Sequence, residues 1–374
     1  MEETPAIVLN FGSAAVKAGI AGDESPISCF PNLADENLMH FGHAAKDVLM
    51  KRQSKPIFPY TNGIVTNWSA ANGIWKHTFN EVLKANSEEH SILLTEPPFH
   101  PKFHREKICQ IFLESFNVPA FYMGLSSLLS LYGTGRTSGM VLNMGQGISY
   151  AVPIIEGCVQ LQSISRFDIS GIDITKQLFK LSLAKADVVA NFGDNFPDYP
   201  LFDMIDNIKC RYCFYRDFAK SPEINESPSY TLPDENNISL TDELFEAPEI
   251  IFNPHLNNKN CLDLPRTILR AIQLCEPEYR NELYSRIILA GGTSRLRGLV
   301  EKLKVQLQNL SLPSVKTIIS TAQTKDDGRG NFGSEYTDWV GGSIVATLST
   351  FQQMWVTRDE YNEAGPTVIH RKCI

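Results

Sequence analysis

The stretch AIVLNFGS at residues 6–13 decides the fold, because its pattern returns as GMVLNMGQG at residues 139–147. In each copy a run of strand formers leads into Asn-x-Gly, and further strand formers follow at residues 16–20 and 148–153. We interpret each copy as a strand, a tight turn and a second strand. A repeat at this distance indicates two similar domains related by duplication and not a solenoid.

Helical patterns alternate with strands through the rest of the chain. Apolar side chains recur at helical spacing, which predicts helices over residues 72–84, 105–116, 172–184, 202–218 and 299–307. A third apolar strand, Ile287–Ala290, runs into Gly291-Gly292-Thr293, and residues 221–242 form a polar segment predicted as a surface loop with a short strand. This alternation is typical of an α/β architecture with mostly covered sheets.

Composition excludes several classes of protein. The 374 residues exceed one typical domain, and a net charge of −8 argues against nucleic-acid or membrane-surface partners. Eight scattered cysteines are typical of a reducing compartment. The N-terminus has no signal-peptide pattern and no apolar run is long enough to span a membrane, so we expect a soluble, cytoplasmic protein.

The glycine turns at the strand ends suit the binding of phosphate. Glycine lets backbone N–H groups approach an anion, and Lys17 adds a cation beside Gly12 and Ser13. The second turn offers Gly145 and Gly147 in the same way. A plainer alternative is that such turns need glycine whether or not they bind a ligand.

Several blocks of the chain carry the residues and spacing of one family. They are GIVTNW (63–68), LTE (94–96), FNVPA (116–120), WVGGS (339–343), STFQQMW (349–355), EYNEAGP (360–366) and HRKC (370–373). Along nearly its whole length the chain resembles actin. The resemblance implies a duplicated RNase-H-like α/β fold of the actin-type ATPases, with two lobes around a central nucleotide cleft. It also implies subdomain 1 (1–31, 59–133 and 337–374), subdomain 2 (32–58), subdomain 3 (134–169 and 265–336) and subdomain 4 (170–264).

Five positions depart from the family's catalytic pattern. Asn10 and Asn143 stand where the family carries aspartates that hold the water shell of magnesium. Ser126 replaces a glutamine, and Gln146 and Tyr150 replace an aspartate and a histidine that orient the attacking water. Hydrolysis of a phosphoanhydride relies on metal charge and an aligned water, so we expect neither a catalytic residue nor a metal site in this chain.

Nucleotide binding without hydrolysis is a separate question. Positions that match the family's nucleotide contacts are Gly12, Ser13, Lys17, Gly145, Gly147, Lys209, Gly291, Gly292 and Thr293. On the base side, Cys210, Glu335 and Ile172 replace a glutamate, a lysine and an arginine of the family. Two alternatives therefore stay open, weak binding of ATP or ADP with little Mg²⁺ and an empty cleft.

Of the surfaces that the resemblance implies in filament assembly, two are altered in this chain and one is retained. A long loop of the family is reduced to residues 32–40, and the segment 255–261 is too polar to act as the family's apolar plug. The cleft that receives partners is retained, and its predicted lining is Tyr132, Gly135, Ile344, Val345, Leu348, Thr350 and Met354. Some of these apolar residues are equally consistent with core packing.

Three functions are consistent with these observations. We predict a non-hydrolysing structural protein of the cytoskeleton. It would be a specialised or pointed-end-type partner of actin or actin-related subunits and actin-binding proteins, because a subunit that has only one half of a head-to-tail interface cannot extend a filament. One alternative is an ATP-binding filament protein with slow hydrolysis. The other is a nuclear subunit of a chromatin-remodelling complex, which the lack of long insertions and of a basic import tract disfavours.

Overall fold

Strands and helices fill the parts of the chain that the computed structural model describes, which are residues 4–185, 198–218, 229–231, 237–311, 315–321 and 334–373. The strands there are β1 (Ile7–Phe11), β2 (Ala15–Ile20), β3 (Ser28–Pro31), β4 (Ala34–Asp35), β5 (Pro56–Ile57), β6 (Tyr60–Thr61), β7 (Ile64–Val65), β8 (Ile92–Glu96), β9 (Ala120–Leu125), β10 (Gly139–Met144), β11 (Ser149–Ile155), β12 (Cys158–Val159), β13 (Ser165–Phe167), β14 (Ser229–Thr231), β15 (Asn237–Ser239), β16 (Ile287–Ala290), β17 (Ile319–Thr321) and β18 (Val356–Thr357). The α-helices are α1 (Gly42–Met50), α2 (Trp68–His77), α3 (Lys102–Gln110), α4 (Ser126–Gly133), α5 (Gly171–Lys185), α6 (Tyr199–Tyr212), α7 (Glu243–Glu246), α8 (Leu264–Gln273), α9 (Pro277–Ser285), α10 (Leu299–Leu310), α11 (Thr337–Thr347), α12 (Arg358–Ala364) and α13 (Ile369–Lys372).

Two large sheets share one plan, which confirms the predicted duplication and the two-lobed α/β fold. In the first sheet β1 pairs antiparallel with β2 and parallel with β8, which in turn pairs parallel with β9. The second sheet repeats this order, because β10 pairs antiparallel with β11 and parallel with β16, which pairs parallel with β17. Each sheet has its own apolar core. The two Asn-x-Gly turns therefore lie at equivalent places in the two lobes.

The α4 and α11 helices cross in backbone contact between the two sheets. A Cβ atom on Gly341 would lie 1.8 Å from the carbonyl oxygen of Leu129, so only glycine allows this approach. Trp339 is fully buried, and its indole Nε1 donates to the carbonyl oxygen of Val8 at 2.9 Å. This contact fixes α11 against β1, whose C-terminal end carries Asn10.

The lobes also meet through α1 and α6, which we name the interlobe contact. Lys46 Nζ lies 2.7 Å from Asp203 Oδ1, and Arg52 Nε lies 2.7 Å from Asp198 Oδ2. Between these ion pairs an apolar cluster is formed by Leu33, Ala45, Leu49, Tyr199 and Phe202. The chain itself thus joins the two lobes at this contact.

Most predicted elements are present, with shifted ends. The helices predicted at 72–84 and 105–116 begin earlier, as α2 and α3, and continue as π-helical turns at Thr78–Leu83 and Ile111–Ser115. The helix predicted at 202–218 was wrong at both ends. It starts at Tyr199 because Asp198 caps it, accepting from Leu201 N–H at 3.0 Å, and it ends at Tyr212.

The polar segment 221–242 contains β14 and β15, which pair antiparallel, while residues 221–228 and 232–236 lie outside the described part of the chain. Among the described helices, no candidate for a membrane span was found.

The α4–α11 crossing makes a prediction about stability. Gly341→Ala should lower the free energy of unfolding by about 3 kcal/mol or more, because the added methyl group meets rigid backbone. Gly292→Ala is the matched control, since a Cβ atom there has no heavy atom within 4 Å among the described residues. Urea unfolding followed by circular dichroism measures both variants. Equal stability of the two would contradict the close crossing.

Candidate functional site

One cavity of about 740 Å³ lies between the two hairpin turns, and we name it the cleft cavity. It brings together the nine predicted nucleotide contacts and the five positions that depart from the family's catalytic pattern. The predicted contacts on its wall are Gly12, Ser13, Lys17, Gly145, Gly147, Lys209, Gly291, Gly292 and Thr293. The positions predicted to depart from the family's catalytic pattern are also on its wall, and they are Asn10, Ser126, Asn143, Gln146 and Tyr150. A volume of this size is typical of small-molecule and cofactor sites.

The two turns of the cleft cavity touch each other. Within them, Gly12 N–H donates to Ala15 O at 3.0 Å, and Gly145 N–H donates to Ile148 O at 2.9 Å. A Cβ atom on Gly147 would lie 2.4 Å from Ser13 Oγ, which itself accepts from a backbone N–H at 3.1 Å. The close approach to Ser13 gives Gly147 a structural reason that needs no ligand, which agrees with the plainer alternative at that position.

Asn10 acts as a hydrogen-bond donor at the end of β1. Its Nδ2 donates to Thr95 Oγ1 at 2.7 Å and to Asp338 Oδ2 at 2.5 Å. Only the NH₂ end of the amide can donate to a carboxylate, so this network fixes the orientation of the amide. The opposite atom, Asn10 Oδ1, is buried and has no hydrogen-bond partner among the described residues.

The cation of the first turn is already paired. Lys17 Nζ lies 3.6 Å from Asp338 Oδ1, and it also donates to the carbonyl oxygen of Glu335. Asn10 and Lys17 are opposite each other in the β1–β2 hairpin, so one carboxylate reaches both. The Asp338 side chain is therefore the centre of a buried polar cluster on this wall.

The cation of the second lobe is paired in the same manner. Lys209 Nζ donates to Asp206 Oδ1 at 2.5 Å, to Thr175 Oγ1 at 2.9 Å and to Gln146 Oε1 at 2.8 Å. Burial raises the pKa of Asp206, but the charge of Lys209 and the hydrogen bonds from Lys209, Thr175 and Gln146 outweigh it, so the pKa lies below its ordinary value. Asp206 thus stays ionised beside Lys209.

Two of the substituted catalytic positions bond to each other. The hydroxyls of Ser126 and Tyr150 lie 2.6 Å apart, and both residues are buried. Burial raises the pKa of the Tyr150 phenol, so the phenol stays neutral. Tyr150 and Ser126 form part of the wall of the cleft cavity, joined by this hydrogen bond.

The residues of the cleft do not fit a magnesium ion held through protein acids. The amide nitrogen of Asn10 faces the carboxylate of Asp338, and Asn143 carries no charge. Mg²⁺ binds through carboxylates, waters and phosphates in octahedral geometry. Within the described ranges, no group of three or more His, Cys, Asp or Glu side chains that could hold a metal ion was found.

The predicted base side is divided between two cavities. Cys210 and Glu335 line the cleft cavity, and the Glu335 carboxylate forms an ion pair with Arg295. Ile172 instead lines a neighbouring cavity of about 790 Å³ below the interlobe contact. The three substitutions therefore do not form one continuous wall.

The predicted partner surface is mostly exposed, with one correction. Ile344, Leu348 and Met354 are 45%, 46% and 36% exposed, which is high for large apolar side chains. Gly135 and Thr350 are also exposed and Tyr132 is half-buried, while Val345 is buried in the first core. Val345 was wrongly assigned to the surface, because it follows Ile344 on α11 and points about 100° away from it.

The two shortened or altered surfaces are tied to the body of the protein. Residues 32–40 form a tight turn in which Asp35 Oδ1 accepts from the N–H groups of Met39 and His40. In the segment 255–261, Lys259 Nζ donates to Asp173 Oδ1 at 2.7 Å, which ties the segment to the first turn of α5. Its Leu256 side chain is exposed.

Two carboxylates of the site were missed by sequence reasoning. Asp206 lies three residues before Lys209 on α6, a spacing that favours an ion pair and was visible in the sequence. Asp338 is 328 residues from Asn10, and its only local signal is an acid in the first turn of a helix with a buried face.

The paired hairpins, the parallel strands beside them and the cavity between the lobes define the class of two-lobed actin-like nucleotide folds. The family model described as Actin matches residues 1–374. The chain therefore belongs to the actin family.

The hydrogen bond between Asn10 and Asp338 predicts a charge-coupled pair. Asn10→Asp should lower the free energy of unfolding by about 2–4 kcal/mol, because it buries two carboxylates in contact. In the double variant Asn10→Asp/Asp338→Asn the amide and the carboxylate exchange places, so most of that loss should return. Chemical unfolding of the four members of the cycle measures the coupling. Strictly additive effects would contradict the contact.

Proposed function

We propose that the protein is a non-hydrolysing structural member of the actin family that acts through protein contacts. The observation that carries this proposal is that both lysines of the cleft cavity, Lys17 and Lys209, are paired with carboxylates of the chain. A phosphate that approached either lysine would have to displace its carboxylate. The substitution of both magnesium-side acids by Asn10 and Asn143 supports the same proposal.

The surfaces support the proposal that the protein does not extend a filament of its own. The tight turn at residues 32–40 offers no long loop to a neighbouring subunit. The exposed apolar residues Ile344, Leu348 and Met354 remain able to receive a partner. A head-to-tail interface with one half removed allows association but not propagation. The proposed partners are actin or actin-related subunits and actin-binding proteins of the cytoplasmic cytoskeleton.

A second candidate is an ATP-binding filament protein with slow hydrolysis. It is favoured by the volume of the cleft cavity and by its retained glycine turns. The paired state of both lysines and the buried Ser126–Tyr150 hydrogen bond weigh against it. We therefore rank it second.

Phosphate release and polymerisation distinguish the two candidates. We expect the purified protein, mixed with ATP and Mg²⁺ in polymerising salt, to release no phosphate above a blank and to stay in the supernatant on sedimentation. The same protein should slow the elongation of actin filaments at the pointed end when added to preformed seeds. Pelletable homopolymer with continuing phosphate release would favour the second candidate instead.

The exposed patch on α11 gives a prediction for partner binding. Leu348→Asp should weaken binding to actin, measured by pull-down or interferometry, by about tenfold or more, because it places a charge in an apolar contact. Leu310→Asp is the matched control, since Leu310 is an exposed leucine at the end of another helix, α10. Both variants should keep the stability of the parent. Equal binding of actin by the two variants would show that the patch is not part of the interface.

A further inference from the structure

The contacts of Asp338 are those of a bound anion. Its carboxylate receives the amide N–H of Asn10 at 2.5 Å and the backbone N–H of Trp339 at 2.8 Å, and Lys17 Nζ lies 3.6 Å away. The residue is 8% exposed and lies in the first turn of α11, an eleven-residue helix. A side-chain amide, an ammonium group and a helix N-terminus are together the usual set of groups that hold a phosphate oxygen.

The position of this carboxylate makes it a competitor for phosphate. Asp338 lines the cleft cavity together with Gly12, Ser13 and Lys17, which are the phosphate-side residues that the family resemblance implies. A phosphate that approached Lys17 would meet a fixed negative charge on the same ammonium group. Like charges at such short range repel strongly where water is excluded.

We propose that the Asp338 carboxylate is an internal anion that occupies the phosphate side of the cleft cavity and excludes nucleotide phosphates from Lys17. This inference rests on the proposed function, because it gives the cause of the weak nucleotide binding assumed there. It also gives Asn10 a role, which is to hold the Asp338 carboxylate in place. An ionised aspartate at position 10 could not donate a hydrogen bond to Asp338, whereas the amide of asparagine can.

The test removes the charge of Asp338 and keeps its shape. Asp338→Asn should bind ATP and inorganic pyrophosphate, each titrated in EDTA by calorimetry, about tenfold or more tightly than the parent, because Lys17 is then unneutralised. Asp338→Ser, which still accepts a hydrogen bond from Asn10, provides a second carboxylate-free variant if the first folds poorly. The matched control is Asp23→Asn, an exposed aspartate that does not line the cleft cavity.

Lys17→Met shows whether the expected gain in pyrophosphate affinity depends on the ammonium group of Lys17. Added to Asp338→Asn, it should return binding of pyrophosphate to the level of the parent. Added to the parent alone, it should change binding by less than about twofold, because the ammonium charge is already neutralised there. A tenfold loss in the parent would mean that Lys17 is free to bind phosphate and would overturn the proposal.

The remaining outcomes separate this inference from the proposed function. If neither carboxylate-free variant binds pyrophosphate more tightly than Asp23→Asn, this inference is overturned, and the proposed function then rests on Asn10, Asn143 and the surfaces. If the parent already binds ATP tightly and hydrolyses it, the proposed function fails, whatever the variants do.

Discussion

The hydrogen bond between Asn10 and Asp338 is the contact on which the arrangement of the cleft depends. It joins the end of β1 to the first turn of α11, and through Lys17 it includes β2 as well. The burial of Trp339 on β1 and the approach of Gly341 to Leu129 place α11 where that bond can form. The charge distribution of the cleft follows from this contact, because a carboxylate of the chain lies beside its first lysine.

The lobes are held together by groups of the chain at two places. The α4 and α11 helices cross in backbone contact, and beside the neighbouring cavity Lys46 and Arg52 reach the acids of α6 and of its N-terminal cap. The apolar cluster around Leu49 and Tyr199 adds buried area to these part-exposed ion pairs, which alone contribute little. The arrangement of the two lobes therefore draws on packing and internal ion pairs.

The sequence predicts the fold well because the decisive signals are local. The two Asn-x-Gly turns, the strand Ile287–Ala290 and the spacing of apolar residues are all visible within short windows. The lining of the cleft cavity follows from the family resemblance and is where it was expected. The start of α6 was missed although Asp198 and Pro200 form an N-cap pattern. The division into four subdomains stays a prediction. The hydrogen bond of Asn10 could not be predicted from the sequence, because its partner Asp338 lies 328 residues away. Considered alone, Asn10 indicates only the loss of a carboxylate.

The nucleotide and metal content of the purified protein tests the central claim most directly. The protein is denatured after gel filtration, the released nucleotide is quantified by anion-exchange chromatography, and Mg²⁺ is quantified by mass spectrometry of the same sample. Because Asn10 donates to Asp338 and both cleft lysines are paired, we expect far less than one nucleotide and one Mg²⁺ per chain. One ATP or ADP with one Mg²⁺ per folded chain would contradict the account.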